Sequence, residues 1–313
     1  MTKRFFTISA GLLTLVLAAD PALSGSSSAQ VGRARPPQHA PAPTAVTILY
    51  DAFGGAPGLV RDWGFAALIE FQGKRILFDT GNNATIFAQN VRGLHIDLEH
   101  LDLVVISHRH SDHTAGLSVV LRANPQVPIY APREGFGIFG AAVPGTFYRA
   151  LPTLPDSMRY FEGVVPRQIQ SGTVWPTAHF VLVDSSQTIA PGIQLVALVS
   201  DTPGTRELRE LSLVLSTPTG DIVVVGCSHP GIERILAAVG SPVTSVRALF
   251  GGLHLVAAPD SVLAPLVQRL HNQWRVTQVA PGHCTGEPAF AALQREYGDD
   301  YLYAGLGRRL VLR

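Results

Sequence analysis

Short runs of aliphatic and β-branched residues alternate with glycine- and proline-containing turns from residue 45 onward, a pattern typical of a mixed α/β domain. Strands are predicted over 46–50, 66–71, 75–78, 104–106, 128–130, 195–199, 211–215, 222–225, 276–280 and 310–312. Helices are predicted over 114–121, 232–239 and 261–274. Polar and glycine-containing sequences at 72–74 and 218–220 predict hairpin turns between neighbouring strands.

The start of the chain differs from the rest in its pattern. Two basic residues precede an almost wholly apolar run at 5–19, and small residues come just before residue 30. This order is typical of a secretory signal peptide, so we expect cleavage of 1–29 and a periplasmic or secreted protein. An uncleaved anchor is the alternative, but about 15 apolar residues are fewer than the roughly 20 that a spanning helix needs. We expect the proline-rich residues 30–44 to form a disordered linker before a domain at 45–313.

Charge and cysteine content narrow the functional classes. The chain has 24 lysine and arginine residues and 23 acidic residues. It therefore lacks the excess of basic residues that is typical of nucleic-acid-binding proteins. The two cysteines, Cys227 and Cys284, are too few for a disulfide scaffold. We therefore expect a small-molecule substrate, no nucleic-acid partner and no membrane span once the signal is removed. The sequence does not indicate an oligomeric state.

Residues 133–178 are rich in glycine, proline and aromatic residues and show only weak periodicity. We expect this segment to be a lid or insertion rather than part of the core. Substrate specificity would then reside largely in it, and its sequence does not name the substrate.

A cluster of metal-binding side chains follows the predicted strand at 104–106. His108, His110, Asp112 and His113 lie within six residues. Because alternate residues point the same way, His108 and His110 can share one ion. Asp112 and His113, at the start of the next helix, can face a second. Imidazole and carboxylate ligands suit zinc, iron or manganese rather than calcium, so we expect one or two zinc ions, with iron or manganese as alternatives.

Two more histidines directly follow predicted strands. His229 comes after 222–225, and His283 comes after 276–280. Strand ends at one edge of an open sheet converge on one crevice, so we predict that both histidines bind metal. His254 is a weaker candidate, which either ligates, acts in acid–base catalysis, binds substrate or orients a ligand. We expect the other histidines to be at the surface or structural: His39, His95, His100, His179 and His271.

These motifs resemble those of the metallo-β-lactamase superfamily. Residues 108–113 match its His-x-His-x-Asp-His metal motif, and Asp-Thr-Gly at 79–81 matches the strand end that precedes the motif. The likeness extends over 46–312. A narrower resemblance, to the subfamily grouped with the methanogen dihydropterin synthases of methanopterin biosynthesis, is carried by three sequences: Gly-Cys-Ser-His at 226–229, Gly-Gly-Leu-His at 251–254 and His-Cys-Thr-Gly at 283–286.

The resemblance implies an α/β fold, a four-layer αββα sandwich, with a dinuclear site along one sheet edge and mostly hydrolysis by a metal-bound hydroxide. We expect an exported metal-dependent hydrolase in which Asp112 orients the nucleophile while also ligating. Asp79 is expected to hold a ligand histidine in place. One alternative is a non-hydrolytic metal- and thiol-binding redox protein. Another is a pterin-related synthase, which export disfavours because pterin precursors are cytosolic.

Two positions depart from the superfamily pattern. Many relatives carry a metal-binding histidine after Thr-Pro-Gly, where this chain has Thr205, and a bridging aspartate where it has Cys227. We infer that His229 replaces the missing histidine, because a neutral hydroxyl is a poor zinc ligand. Cys227 either occupies the bridging position as a thiolate or only lines the site. We expect no disulfide between Cys227 and Cys284 in the metal-loaded protein.

Overall fold

Two β-sheets lie face to face, and helices cover the outer face of each sheet. The computed structural model describes residues 43–133, 149–164, 175, 178–241 and 243–312. The described strands are β1 Thr44–Tyr50, β2 Ala66–Phe71, β3 Lys74–Phe78, β4 Leu103–Val105, β5 Ile129–Pro132, β6 Phe180–Val183, β7 Gln187–Ala190, β8 Ile193–Val199, β9 Arg209–Thr217, β10 Gly220–Val225, β11 Val246–Gly252, β12 Val276–Gly282 and β13 Arg309–Leu312. The described α-helices are α1 Ala84–Gly93, α2 Ser111–Thr114, α3 Leu117–Ala123, α4 Ile232–Val239, α5 Asp260–Asn272 and α6 Glu287–Tyr297.

Parallel strand pairs in both sheets bring several strand ends to one edge. The first sheet has the order β13-β1-β2-β3-β4-β5-β6, and its strands β3 to β6 are mutually parallel. The second has the order β12-β11-β10-β9-β8-β7, with β10, β11 and β12 parallel. Parallel neighbours end side by side, so the segments after β3 and β4 emerge together, as do those after β10, β11 and β12.

Apolar side chains on both faces of each sheet explain the four layers. In β2, Ile69 and Phe71 pack into the core between the sheets, whereas Leu68 packs under the helices of the first sheet. In β10, Val224 faces the core between the sheets and Val223 packs under α4 and α5. A sheet buried on both faces needs apolar residues at successive positions rather than alternate ones. The predicted αββα sandwich is confirmed.

Most predicted elements are present, with two kinds of error. The helix predicted at 114–121 is confirmed at 117–121 within α3 but not as one continuous helix, because the chain breaks between α2 and α3 at Gly116. A Cβ at Gly116 would lie 2.2 Å from the carbonyl oxygen of Thr80, so only glycine allows this approach. The prediction also missed α1, β6, β7, β11 and α6. Strand β11 ends in two glycines, which weaken a strand signal in sequence.

Part of the predicted 133–178 insertion packs on the domain. Within 149–164, the backbone N–H groups of Leu151 and Tyr160 donate to the buried carboxylate of Glu287 at the start of α6. The remainder, 134–148, 165–174 and 176–177, lies outside the described residues, so a lid there stays a prediction.

The predicted signal peptide at 1–29 and nearly all of the linker also lie outside the described residues. Thr44, the last residue of the predicted linker, is already in β1 and pairs with Leu312. In the part of the chain that is described, no helix combines the length and apolar character required to cross a bilayer.

Candidate metal centre

Five strand ends supply the polar side chains of the site. Asp79 follows β3, the segment 107–113 follows β4, and the segment 226–229 follows β10. His254 comes two residues after β11, and His283 comes directly after β12. The predicted convergence of strand ends therefore holds, and it gathers donors from both sheets.

Asp79 orients two histidines of the first sheet. Its Oδ1 accepts the N–H of Ser107 at 2.7 Å, and its Oδ2 accepts the Ser107 hydroxyl at 2.7 Å. His113 Nδ1 lies 2.6 Å from the same Oδ2, and Ser107 Oγ lies 2.9 Å from His108 Nδ1. With Asp79 accepting, both imidazoles donate from Nδ1, and the Nε2 atom of each ring is turned toward the other groups of the site. Asp79 thus makes the contact with a histidine that the sequence predicted.

His108, His110 and His229 form the first group. His108 Nε2 and His110 Nδ1 are 3.0 Å apart, and the His229 ring centroid lies 4.6 Å from that of His108 and 4.9 Å from that of His110. Burial and neighbouring histidines lower the pKa of His108 well below its usual value. Burial also lowers the pKa of His110 to about 4. These two imidazoles are therefore neutral at pH 7 and offer lone pairs.

Glu210, which sequence analysis missed, holds His229 in place. Its carboxylate accepts the backbone N–H groups of Cys227, Ser228 and His229 at 3.0, 2.6 and 2.8 Å. His229 Nδ1 lies 3.0 Å from Glu210 Oε2, which leaves Nε2 free. Burial would raise the pKa of Glu210, but the contacts with His229 outweigh it and lower the pKa to about 2. A glutamate directly before the predicted strand at 211–215 was the available signal.

Asp112, His113 and His283 form the second group. The Nε2 atoms of His113 and His283 are 3.2 Å apart, and Asp112 Oδ2 lies 3.4 Å from His283 Nε2. Although burial lowers it, the Asp79 and Asp112 carboxylates raise the pKa of His113 to about 9. Burial alone would raise the pKa of Asp112, but the His113 and His283 contacts lower it below its usual range.

A second missed carboxylate, Asp51, supports His283. Asp51 follows β1, and its Oδ2 accepts the backbone N–H of His283 at 2.9 Å. Trp63 packs its ring 5.2 Å from the His283 ring. Burial raises the pKa of Asp51 to about 7. The same signal that marked Asp79, an aspartate directly after a buried strand, was present here as well.

Cys227 lies between the two groups. Its Sγ is 3.2 Å from His113 Nε2. Its donor atom lies within 4.8 Å of those of His108 and His229, and also within 4.8 Å of those of His113 and His283. Among the residues described, Cys227 is therefore common to both groups, at the place where a bridging ligand would stand.

Thr205 and His254 differ in their relation to the site. The Thr205 hydroxyl lies 2.9 Å from Ser200 Oγ, and the Ser200 hydroxyl donates to the backbone carbonyl of His229 at 3.0 Å. His254 is half-buried, with its ring centroid 4.4 Å from that of His229. Outside the site, His100 pairs with Asp97 and His271 with Glu296; His39 lies outside the described residues.

The donor atoms fit a metal ion. Nitrogen ligands 2.0–2.1 Å from a tetrahedral ion lie about 3.4 Å from each other. The facing nitrogens here are 3.0 and 3.2 Å apart, a spacing that a shared ion accounts for. Asp112 Oδ1 is buried and finds no hydrogen-bond partner within the described part of the chain. A set of imidazole, thiol and carboxylate donors suits zinc and related transition metals.

Comparison with known proteins gives a consistent result. A family model described as a Beta-lactamase superfamily domain matches residues 74–139. The 7,8-dihydropterin-6-methyl-4-(β-D-ribofuranosyl)-aminobenzene-5'-phosphate synthase of Methanocaldococcus jannaschii is 28% identical over 272 residues, covering 77% of this chain and 88% of that protein. An uncharacterized protein of the same organism is 28% identical over 259 residues, covering 78% of this chain and 91% of its own length.

Solved structures share the fold. A metal-dependent hydrolase of the β-lactamase superfamily has a TM-score of 0.62 and 25% identity, covering 85% of this chain and 98% of that chain. A metallo-β-lactamase fold protein from Bacillus subtilis has a TM-score of 0.52 and 14% identity, covering 86% and 99%, and so supports the fold alone. The two-sheet fold, the motif at 108–113 and these similarities together show a metallo-β-lactamase fold that carries a match to the β-lactamase superfamily domain at 74–139.

Proposed function

We propose that the chain is an exported zinc-dependent hydrolase of a small-molecule substrate. The observation that carries the proposal is the pair of adjacent donor groups that share Cys227. When bound, zinc would supply an acidified water molecule and a Lewis acid that polarises the substrate oxygen. The similarity to a metal-dependent hydrolase supports the same chemistry.

Asp112 is the protein group best placed to orient the attacking water. Its Oδ2 faces His283, while its buried Oδ1 has no partner in the described part of the chain. Its pKa lies below the usual range, so the group is a carboxylate at neutral pH and accepts a hydrogen bond from water. The chain thus provides both an ionised acceptor and the histidines that would hold the metal.

The test combines metal content with turnover. Zinc-loaded protein is assayed on phosphomonoester, phosphodiester, lactone and thioester substrates, before and after chelation. We expect His108→Ala and His229→Ala to lose zinc and activity together, because each removes a donor of the first group. Thr205→Ala is the control and should retain both. A His229→Ala protein that keeps its zinc and shows only a raised KM would place His229 in substrate binding instead.

A pterin-related synthase is the second candidate, and the 28% identity with the named synthase over most of both chains favours it. Binding of 7,8-dihydropterin by zinc-loaded protein that hydrolyses none of the four substrate classes would support the synthase. Hydrolysis without dihydropterin binding would exclude it in favour of the first candidate.

Export rests on the composition of residues 1–29. Mass spectrometry of protein from the cell exterior or periplasm should show a chain that starts near Gln30. Membrane-bound protein that retains Met1 would show an anchor in place of a cleaved signal.

A further inference from the structure

The two cysteines and His254 form a third donor cluster beside the histidine groups. We propose that Cys227, Cys284 and His254 bind a thiophilic metal ion at a position of its own. The donor atoms of the three residues all lie within 4.8 Å of one another. This site goes beyond the proposed function, because it requires no particular reaction at the histidine groups.

The backbone keeps space for the second thiol. Cys284 Sγ lies 3.7 Å from the carbonyl oxygen of Cys227. A Cβ at Gly252 would lie 2.7 Å from Cys284 Sγ and 3.5 Å from Cys227 Cα, so any larger residue there would press on the thiol pair. Both cysteines are free thiols, and both side chains are buried. The glycine at the end of β11 therefore allows the two thiols to lie side by side.

The donor chemistry selects a soft ion. Two thiolates and one imidazole make a Cys₂His set, which holds zinc in some enzymes and leaves one position open. Thiolates also favour Cu⁺ over the harder ions that carboxylates bind. His254 Nδ1 is buried without a hydrogen-bond partner among the residues described. A soft cation would replace the hydrogen bonds by which Cys284 now contacts both Cys227 and His254.

Cys227 connects this cluster to the histidine groups. It is the member that all three donor groups have in common, whereas Cys284 and His254 occur only in the third. A thiolate sulfur has enough lone pairs to contact more than one ion. Changes at Cys284 or His254 should therefore affect the third position selectively, while changes at His108 should leave it intact.

The experiment titrates reduced, metal-free full-length protein with Co²⁺ alone, because a cobalt–thiolate bond gives a charge-transfer absorption band. Compared with wild type, we expect Cys284→Ser to bind one ion fewer per chain and to lose about half of the charge-transfer absorption. His108→Ala removes a donor of the histidine groups only. It should therefore retain the charge-transfer absorption that is lost in Cys284→Ser.

Equal ion counts and equal absorption in wild type and Cys284→Ser would overturn the proposal. If Cys284→Ser fails to fold by circular dichroism, His254→Gln carries the comparison, since it leaves both thiols in place and should also bind one ion fewer. Neither readout uses turnover, so a failure of the third site and a failure of the hydrolase proposal remain distinguishable.

Discussion

Buried carboxylates orient the metal-facing groups at the level of single residues. Asp79 contacts His113 Nδ1, and Glu210 contacts His229 Nδ1. In each case the opposite ring nitrogen, Nε2, faces the site, where a metal ion can bind it once it carries no proton. Residues that never touch a metal thus decide which atoms can bind it.

Replacing Glu210 with glutamine tests this role. In the native protein both carboxylate oxygens of Glu210 contact donors: three backbone N–H groups and the His229 ring. Glu210→Gln keeps the size of the side chain but removes the negative charge and one of the two acceptor oxygens. We expect zinc affinity at the first group to fall by about 10- to 100-fold, measured by competition with a chelator. Glu207→Gln, at an exposed glutamate three residues earlier, is the matched control. Equal affinity in the two variants would show that His229 needs no carboxylate support.

The two groups should bind metal with different pH dependence. In the metal-free protein the pKa of His113 is raised to about 9, so below that pH a metal ion must displace a proton from the second group. Affinity there should rise by up to about tenfold per pH unit toward pH 9 and level off above it. At the first group the pKa of His110 is about 4, so its imidazole adds no slope above pH 5, and proton release from the shared Cys227 thiol adds equally to both groups.

Zinc titrations at successive pH values measure both slopes. Asp79→Asn removes one carboxylate that raises the pKa of His113, and it should flatten the slope of the second group. Identical slopes for both groups would contradict the assigned protonation states.

Glycines set how closely the elements approach one another. Strands β10 and β11 are parallel and pair Val225 with Gly251. Gly251 has φ +106°, and a Cβ there would lie 1.9 Å from the Val225 carbonyl oxygen. The segments that leave these two strands carry His229 and His254, so their spacing matters for the site as well as for stability.

Gly251→Ala should therefore be strongly destabilising. We expect the free energy of unfolding to fall by about 3 kcal/mol or more, because the strands must separate to admit the methyl group. Gly204→Ala is the control: Gly204 has φ +93° but open space around it, so its loss should be about 1 kcal/mol. Urea unfolding measures both. Similar losses would mean that backbone strain, and not strand approach, dominates at Gly251.

Across the whole molecule, the candidate centre joins the two sheets. His108 and His113 come from the end of the first sheet, whereas His229 and His283 come from the second. The apolar core already holds the two sheets together, and a bound ion would add a direct link between their ends. Metal binding and folding should be coupled for this reason.

Chelation should lower the melting temperature. Free zinc at 100 times its Kd stabilises a folded protein by about 2.7 kcal/mol, which corresponds to a shift of roughly 5 °C or more for a domain of this size. Thermal unfolding with and without zinc measures the shift. The double variant His108→Ala/His229→Ala should show a smaller one, because it loses the first group and keeps the other donors. An equal shift in the double variant would place the stabilising ion elsewhere.

Local signals in the sequence were enough to predict most strands and the histidines that the structure brings together. Strand periodicity, the turn at 72–74 and the spacing within 108–113 are properties of neighbouring residues, which a linear reading contains. The packing of the sheets decided the remainder. His113 contacts Cys227, which is 114 residues away in sequence, and His283, which is 170 residues away. Glu210 binds the backbone of the loop that follows the neighbouring strand, β10. Such contacts depend on how the two sheets and their strand ends pack in space. No pattern among neighbouring residues specifies that packing.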